Sequence, residues 1–527
     1  MDSDSSVEKP TPEKADRAWN RADSRESPVN IRAIAAIRVT IKETVSATSS
    51  EKTPANLLDF QISRILKPSE RVSYMNSRRN FLKSVGAASV LCSPSVTSVA
   101  AIPDQVQVDM PRGRVPLSFI IDDSTCLVNM GKYCMPQFAA TYPQRKDYQL
   151  NWREWPNEIP DDFVREFGTW CTEHGVKGKY SIVPNPACVG WLDRTLPGWS
   201  QRQLSDSLQL VRDLMLPNWD IHPEMITHTR VIDLKTGRPF EDYSPAHMEN
   251  SYPQEDVSVD YLASYLAYAL KLLKNCDLPC EGITTPGGFG NRVKEKLALA
   301  AKQAVGDVFA PKVSHYFKYV ISDPSKSTEP TLEAREGQGG QASFVVNIPA
   351  GTGDWFGGWT GVQPVEAWRY CNEDATSGRM VDLIEQGQPA IMLCHWPGMY
   401  CNGTKTGFKA FQDVVETLHR RFEDQVIWMK LSEIAAYWAA KGTTDLAVGR
   451  RGLVVDAAFA CSEFTLKISG CRNLGDLRRP NGSMVPLKRV TNKSDLVNES
   501  YFAESDFTWV CFDLAVGESE IELDASK

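Results

Sequence analysis

The chain has no basic excess, no Cys-x-x-Cys pair, no internal repeat and no apolar run long enough to cross a membrane. Each absence excludes something. With 58 Lys and Arg against 66 Asp and Glu, the net charge is −8, which argues against a nucleic-acid partner. Without paired Cys-x-x-Cys spacing, the 13 cysteines do not frame a thiolate zinc site. Disulfides stay open; Cys276 and Cys280, and Cys394 and Cys401, are near neighbours. Without an apolar stretch of about 20 residues, no transmembrane segment is expected. What is abundant is apolar and aromatic material. Hydrophobic residues make up 42% of 527, enough for more than one domain and a large core. Many of the 14 tryptophans lie within two residues of a Pro or Gly in loop-like segments: Trp155, Trp191, Trp199, Trp219, Trp355, Trp359 and Trp396. Stacking on sugar faces and filling a core are both open to them.

The segment Ser77-Arg-Arg-Asn-Phe-Leu-Lys83 matches the bacterial twin-arginine export pattern. The mildly apolar stretch after it, Ser84 to Val99, is too short to span a membrane, and Ser98-Val99-Ala100 supplies small residues for cleavage. Residues 75–100 are therefore expected to be a twin-arginine signal peptide. The export machinery is the implied partner, and a mature chain starting near Ala101 is expected to be periplasmic or extracellular. Residues 1–74 are polar and rich in Ser, Glu, Lys and Pro. They are expected to be a disordered leader or to lie upstream of a true start at Met75.

From 112 to 445, apolar or β-prone runs alternate with helical patterns. The runs are Leu117–Ile121, Gly178–Val183, Trp219–Thr227, Gly282–Thr285, Phe344–Ile348, Ala390–Leu393 and Gln425–Trp428. Helices are expected over Asp161–His174, Gln203–Leu216, Val257–Asn275, Arg292–Val305, Val365–Gln386, Thr406–Phe422 and Leu431–Lys441. This alternation predicts an α/β fold, a complete or incomplete (β/α) barrel of about seven strands. From 450 to 527 the texture becomes short β-prone runs separated by turn residues, which predicts a small β-sandwich-like appendage. It is expected to cover one end of the barrel or to bind carbohydrate.

Four segments carry candidate chemistry. The first apolar run stops abruptly at Asp122 and Asp123. Ligands gather at the carboxyl ends of parallel strands, where two carboxylates can divide the work of holding a metal and taking a proton from water. The second segment, Trp219 to Thr229, contains His222, Glu224 and His228. In an extended chain these share one face unless Pro223 bends it. Imidazole and carboxylate are the ligands of a catalytic zinc or similar ion. The third segment is a Pro-Gly turn after a short strand, Thr285-Pro286-Gly287-Gly288. The fourth is another apolar run, Pro389 to Cys394, ending at His395, a residue able to protonate a leaving group.

These segments, in this order, resemble the polysaccharide deacetylases of the NodB-like carbohydrate esterases. The resemblance covers about residues 115–435. It implies a divalent metal, zinc or a similar ion, with Asp122 as base, Asp123 and His228 as metal ligands, and His395 as general acid. It also implies a groove lined by Thr285, Pro286, Asp354, Trp355 and Trp396, and a substrate that is an N- or O-acetylated carbohydrate polymer. Two features depart from the family pattern. The second metal-binding His does not follow His228-Thr229, so His222 is expected in its place, with Glu224 the alternative. Thr285 stands where the family has an Arg that pairs with the catalytic base. Other readings remain: a glycoside hydrolase using Asp122 with Asp354 or Glu224, a non-catalytic carbohydrate-binding protein, or an amidohydrolase acting on a small amide.

Overall fold

The computed structural model describes residues 105–337, 343–449 and 452–524, so the expected leader and signal peptide lie outside the described residues. The chain opens with β1 (Val106–Val108) and β2 (Val115–Asp122). Then come α1 (Met130–Thr141), α2 (Asp161–Glu173), β3 (Gly178–Ser181), α3 (Gln201–Leu210) and β4 (Trp219–His222). A short hairpin, β5 (Ile232–Asp233) and β6 (Arg238–Pro239), precedes α4 (Val259–Asn275), β7 (Gly282–Thr284), α5 (Lys294–Val308) and β8 (Val313–Phe317). The middle of the chain supplies β9 (Thr331–Glu336), β10 (Ser343–Asn347), α6 (Arg379–Glu385), β11 (Ala390–His395) and α7 (Trp396–Tyr400). It ends with α8 (Thr406–Phe422), β12 (Val426–Trp428) and α9 (Leu431–Thr443).

All eight residues of β2 are buried. The strand lies between parallel neighbours, β11 on one side and β3 on the other, with β12 also pairing its first residues. Parallel strands covered on both faces have no solvent side, hence the unbroken apolar run. The sheet runs β11-β2-β3-β4, and a second sheet runs β7-β8-β10-β9 with only β9 antiparallel to its neighbour. The two meet at the isolated Glu224–Thr284 bridge, and the Gly351 N–H donates to the Ile391 carbonyl at 2.8 Å. The result is a mixed α/β fold.

Helices α2 and α8 are amphipathic and lay their aromatic faces on the first sheet. Phe119 of β2 stacks on Phe411 of α8 at 4.4 Å between centroids, and Phe167 of α2 packs on Trp219 and Trp396. Trp219 and Trp396 are thus core residues, while Trp155, Trp191, Trp199, Trp355 and Trp359 are half-buried. The expected helix over 365–386 is shorter in the structure. Gly378, at φ +118°, turns the chain, and only Arg379–Glu385 is α-helical. Strand β8 had no counterpart in the sequence reading.

Beyond α9 come β13 (Asp445–Val448), β14 (Gly452–Ala457), β15 (Cys461–Ser469), β16 (Asn473–Arg478) and β17 (Met484–Pro486). The chain continues through β18 (Lys488–Arg489), β19 (Ser500–Glu504), β20 (Phe507–Leu514) and β21 (Gly517–Asp524). They form two five-stranded sheets, β1-β15-β20-β19-β18 and β13-β14-β21-β16-β17. Their inner residues, among them Leu453, Phe464, Leu466 and Phe512, share one core with Ile434 and Tyr437 of α9 and with Val346 and Ile391 of the parallel strands. The Tyr437 hydroxyl donates to the Asp109 carbonyl at 2.7 Å, tying α9 to the segment after β1. Among the described residues, ten buried cysteines, including Cys276, Cys280, Cys394 and Cys401, keep free thiols. Among the described residues, no helix is long and apolar enough to cross a membrane.

Candidate active site

Asp122 is the last residue of β2 and pairs in register with His395, the last residue of β11. Two ionisable side chains therefore stand side by side at the carboxyl ends of adjacent parallel strands. The Asp122 carboxylate is nearly buried and makes a tight ion pair with the fully buried Lys179 of β3. The Lys179 ammonium also donates to the Ile121 carbonyl at 3.1 Å and to the Ser181 hydroxyl at 2.8 Å. Burial and the nearby Glu224 raise the Asp122 pKa to about 6, against the pull of Lys179 and His395. A cation thus reaches Asp122 from a strand that carries no recognised motif. The sequence showed no Arg at position 285 for this purpose and offered no hint of Lys179.

At Asp123 the backbone turns left-handed, φ +57°, and the strand ends. Asp tolerates this region better than most residues. Its N–H donates to Glu224 Oε2 at 2.7 Å. His228, also left-handed at φ +63°, brings Nε2 to 2.9 Å from Asp123 Oδ1 and 3.2 Å from Glu224 Oε1. The Asp123 Oδ1 approach lacks hydrogen-bond alignment, and that buried oxygen has no hydrogen-bond partner. Burial lowers the His228 pKa, but Asp123 and Glu224 overcome it and hold the imidazole well above its usual range. Burial likewise opposes ionisation of Glu224, yet His228 and Lys179 draw it down to about 2. Two buried carboxylates and one imidazole nitrogen converge on a point that favours positive charge. That donor set, with its orphaned oxygen, fits a divalent metal ion.

The loop carrying His228 is held by a residue the sequence reading did not single out. The fully buried Glu249 accepts hydrogen bonds from the N–H groups of Ile226 (3.1 Å), Thr227 (3.0 Å) and His228 (2.6 Å), and from the Tyr265 hydroxyl (2.5 Å). Glu249→Ala strands three buried amides. Each unpaired group costs about 1–3 kcal/mol, so urea denaturation is expected to show a loss of roughly 3 kcal/mol or more. A change below about 1 kcal/mol would contradict this role.

His395 retains a quarter of its side-chain exposure, and its Nδ1 lies 2.7 Å from Asp354 Oδ2. The same oxygen accepts the His395 N–H at 3.1 Å, while Asp354 Oδ1 accepts the Phe356 N–H at 3.0 Å. Burial works against the imidazolium, but Asp354, with Asp123 and Asp122 behind it, raises the pKa to about 9.

The other residues expected at the site are spread more widely. Strand β4 ends at His222 and the chain turns from Met225, left-handed at φ +53°, and His222 groups with Asp220 and His315 while Glu224 and His228 group with Asp123. Its Nε2 faces His315 Nε2 at 2.8 Å, apart from the Asp123 group. Glu224 stands where His222 had been expected. Thr285 and Pro286 are buried, and the Thr285 N–H donates to the Phe317 carbonyl at 3.2 Å. Trp355 is half-buried beside Asp354, with the Arg369 guanidinium 4.3 Å from its ring. Trp396 is fully enclosed by Phe163, Phe167 and Tyr180 and presents no face to a substrate.

No protein-family model matches the chain, and no curated protein matches it. Among solved structures, the chain is similar to a T48 deacetylase with substrate, at 7% identity over 61% of this chain and 90% of that one, with a TM-score of 0.27. It is also similar to a CE4 family pseudoenzyme from Bacillus anthracis, at 11% identity over 65% and 73% of the two chains, again with a TM-score of 0.27.

Proposed function

We propose that the chain is a metal-dependent hydrolase that removes acetyl or related acyl groups from N- or O-acylated carbohydrate. The observation that carries this reading is the meeting of three units at the ends of neighbouring parallel strands. These are Asp122 with Lys179, the Asp123–Glu224–His228 group, and His395 with Asp354. On this reading the parallel strands make an incomplete (β/α) barrel with the site at its carboxyl end.

Asp123, Glu224 and His228 would hold the ion, zinc or a similar metal. When bound, it supplies Lewis acidity at the acyl oxygen and makes water a better nucleophile. Asp122, with a pKa near 6, is ionised at neutral pH and takes the proton from the attacking water. Lys179 keeps that carboxylate in place. Asp354 occupies Nδ1 of His395, leaving Nε2–H as the donor to the departing amine or alcohol. A pKa near 9 keeps the ring protonated at neutral pH. Proton uptake and delivery thus fall to two residues on adjacent strands. The twin-arginine pattern at Ser77–Lys83 supports action outside the cytoplasm, on polymer at the cell surface.

The test joins metal content with product. Wild type is expected to bind metal at the Asp123 group and to release acetate from acetylated glycans without shortening them. Asp123→Ala and His228→Ala are expected to lose that ion together with the activity. Metal content unchanged in both variants would refute the centre. Shorter sugars without acetate would replace the reading with glycoside hydrolysis.

A further inference from the structure

A second set of ligand-type side chains lies at the seam between the two parallel sheets. Asp220 and His222 of β4 and His315 of β8 are all buried, and one ligand atom from each lies within 4.8 Å of the others. His222 and His315 face each other through their Nε2 atoms at 2.8 Å, and His315 Nε2 lies 3.9 Å from Asp220 Oδ2. Two of the three side chains are also held by neighbours, Asp220 through both of its oxygens. His222 Nδ1 meets Thr284 Oγ1 at 3.3 Å, and the Asp220 carboxylate accepts the Ser432 N–H at 2.6 Å and its hydroxyl at 2.8 Å. Metal-binding histidines and carboxylates are ordinarily braced in this way.

Strand β7 pairs β8, bridges Glu224 just beyond β4, and carries Gly282. A Cβ at that position would fall 2.5 Å from His222 Nε2 and 2.6 Å from His315 Nε2. The missing side chain is what lets the two rings meet. The hydrogen bond between the rings runs through their Nε2 atoms, and His315 Nδ1 is buried without a partner. Two imidazole nitrogens on one tetrahedral ion stand about 3.3 Å apart, so a small opening of the pair turns it into two ligands. The charge of Lys179, which acts on His222, is engaged by Asp122.

We propose that Asp220, His222 and His315 form a second, structural site for a divalent first-row transition ion such as Zn²⁺ or Fe²⁺. Two imidazole nitrogens and one carboxylate oxygen are a donor set such ions accept. Full enclosure denies the site a substrate. Its work is to fasten β4 to β8 across β7, where the sheets otherwise meet through an isolated bridge. An ion bound only by the folded chain adds stability in proportion to its affinity.

The experiment uses the full chain loaded with Zn²⁺, freed of excess and measured by elemental analysis. Wild type is expected to hold two equivalents, Asp123→Asn/His228→Gln one, and the same double variant with His315→Gln none. Loss of all zinc from the double variant overturns the proposal, and so does zinc that survives the added His315→Gln. If wild type and the double variant hold the same single ion and His315→Gln removes it, the second site stands and the Asp123 centre falls. Should the triple variant fail to fold, X-ray absorption on the double variant decides. Two imidazole ligands at about 2.0 Å are expected, and a shell without imidazole overturns the proposal.

Discussion

Asp122→Asn is expected to lower the turnover of acetyl release by about 10²–10⁴-fold, the usual worth of a general base, while metal content stays unchanged. The amide keeps the shape of the carboxylate and loses its ability to take a proton. The same change removes the counter-charge of Lys179, which has no exposure to water. A stranded buried charge costs about 3–5 kcal/mol, so Asp122→Asn is also expected to lower stability by that order. The double variant Asp122→Asn/Lys179→Met removes both charges and is expected to recover most of the stability and none of the activity. Recovery of activity along with stability would make Asp122 a structural partner of Lys179 and no base. Urea denaturation and acetate release, measured on the same preparations, separate the two outcomes.

A loss of similar size is expected for His395→Ala, about 10²–10⁴-fold on a substrate whose leaving group needs a proton. An aryl acetate, whose leaving group departs as a stable anion, is expected to lose far less. Equal losses on both substrates would contradict the acid role. The pH profile gives a second reading. His395 works while protonated, so activity is expected to hold as pH rises and to fall through the folded pKa of about 9. After the opposing effect of burial, the hydrogen bond to Asp354 is the chief cause of that high value. Asp354→Asn is expected to move the alkaline limb down by a unit or more. A limb that stays in place would free His395 of any dependence on Asp354.

The ends of the two apolar runs were legible because an abrupt change from Ile121 to Asp122, or from Cys394 to His395, marks the end of a covered strand wherever it occurs. Strand β8 was not legible. Its central Ser314 and His315 interrupt the apolar run, and His315 faces the polar interior formed with Asp220 and His222. The alternation argument put His222, Glu224 and His228 on one face, subject to Pro223. The left-handed residues Met225 and His228 break the alternation, so Glu224 and His228 meet at Asp123 while His222 joins Asp220 and His315. Lys179 and Glu249 left no local trace. One is a lysine in a four-residue strand, the other a glutamate in a polar loop. Their partners Asp122 and His228 lie 57 and 21 residues away. Contacts of that kind exist only once the strands have been assembled.

The ten buried thiols set an order of events for this chain. Inside the fold, burial pushes Cys171, Cys280 and Cys394 far from ionisation, so they are inert to oxidants and to exchange. In the unfolded chain the same sulfurs are open to pairing, and none of these ten is paired in the native fold. An oxidising environment met before folding would therefore trap the chain in cross-links that the native state has to break. Refolding under a thiol reductant is therefore expected to return more native chain than refolding in air, and equal yields would contradict this.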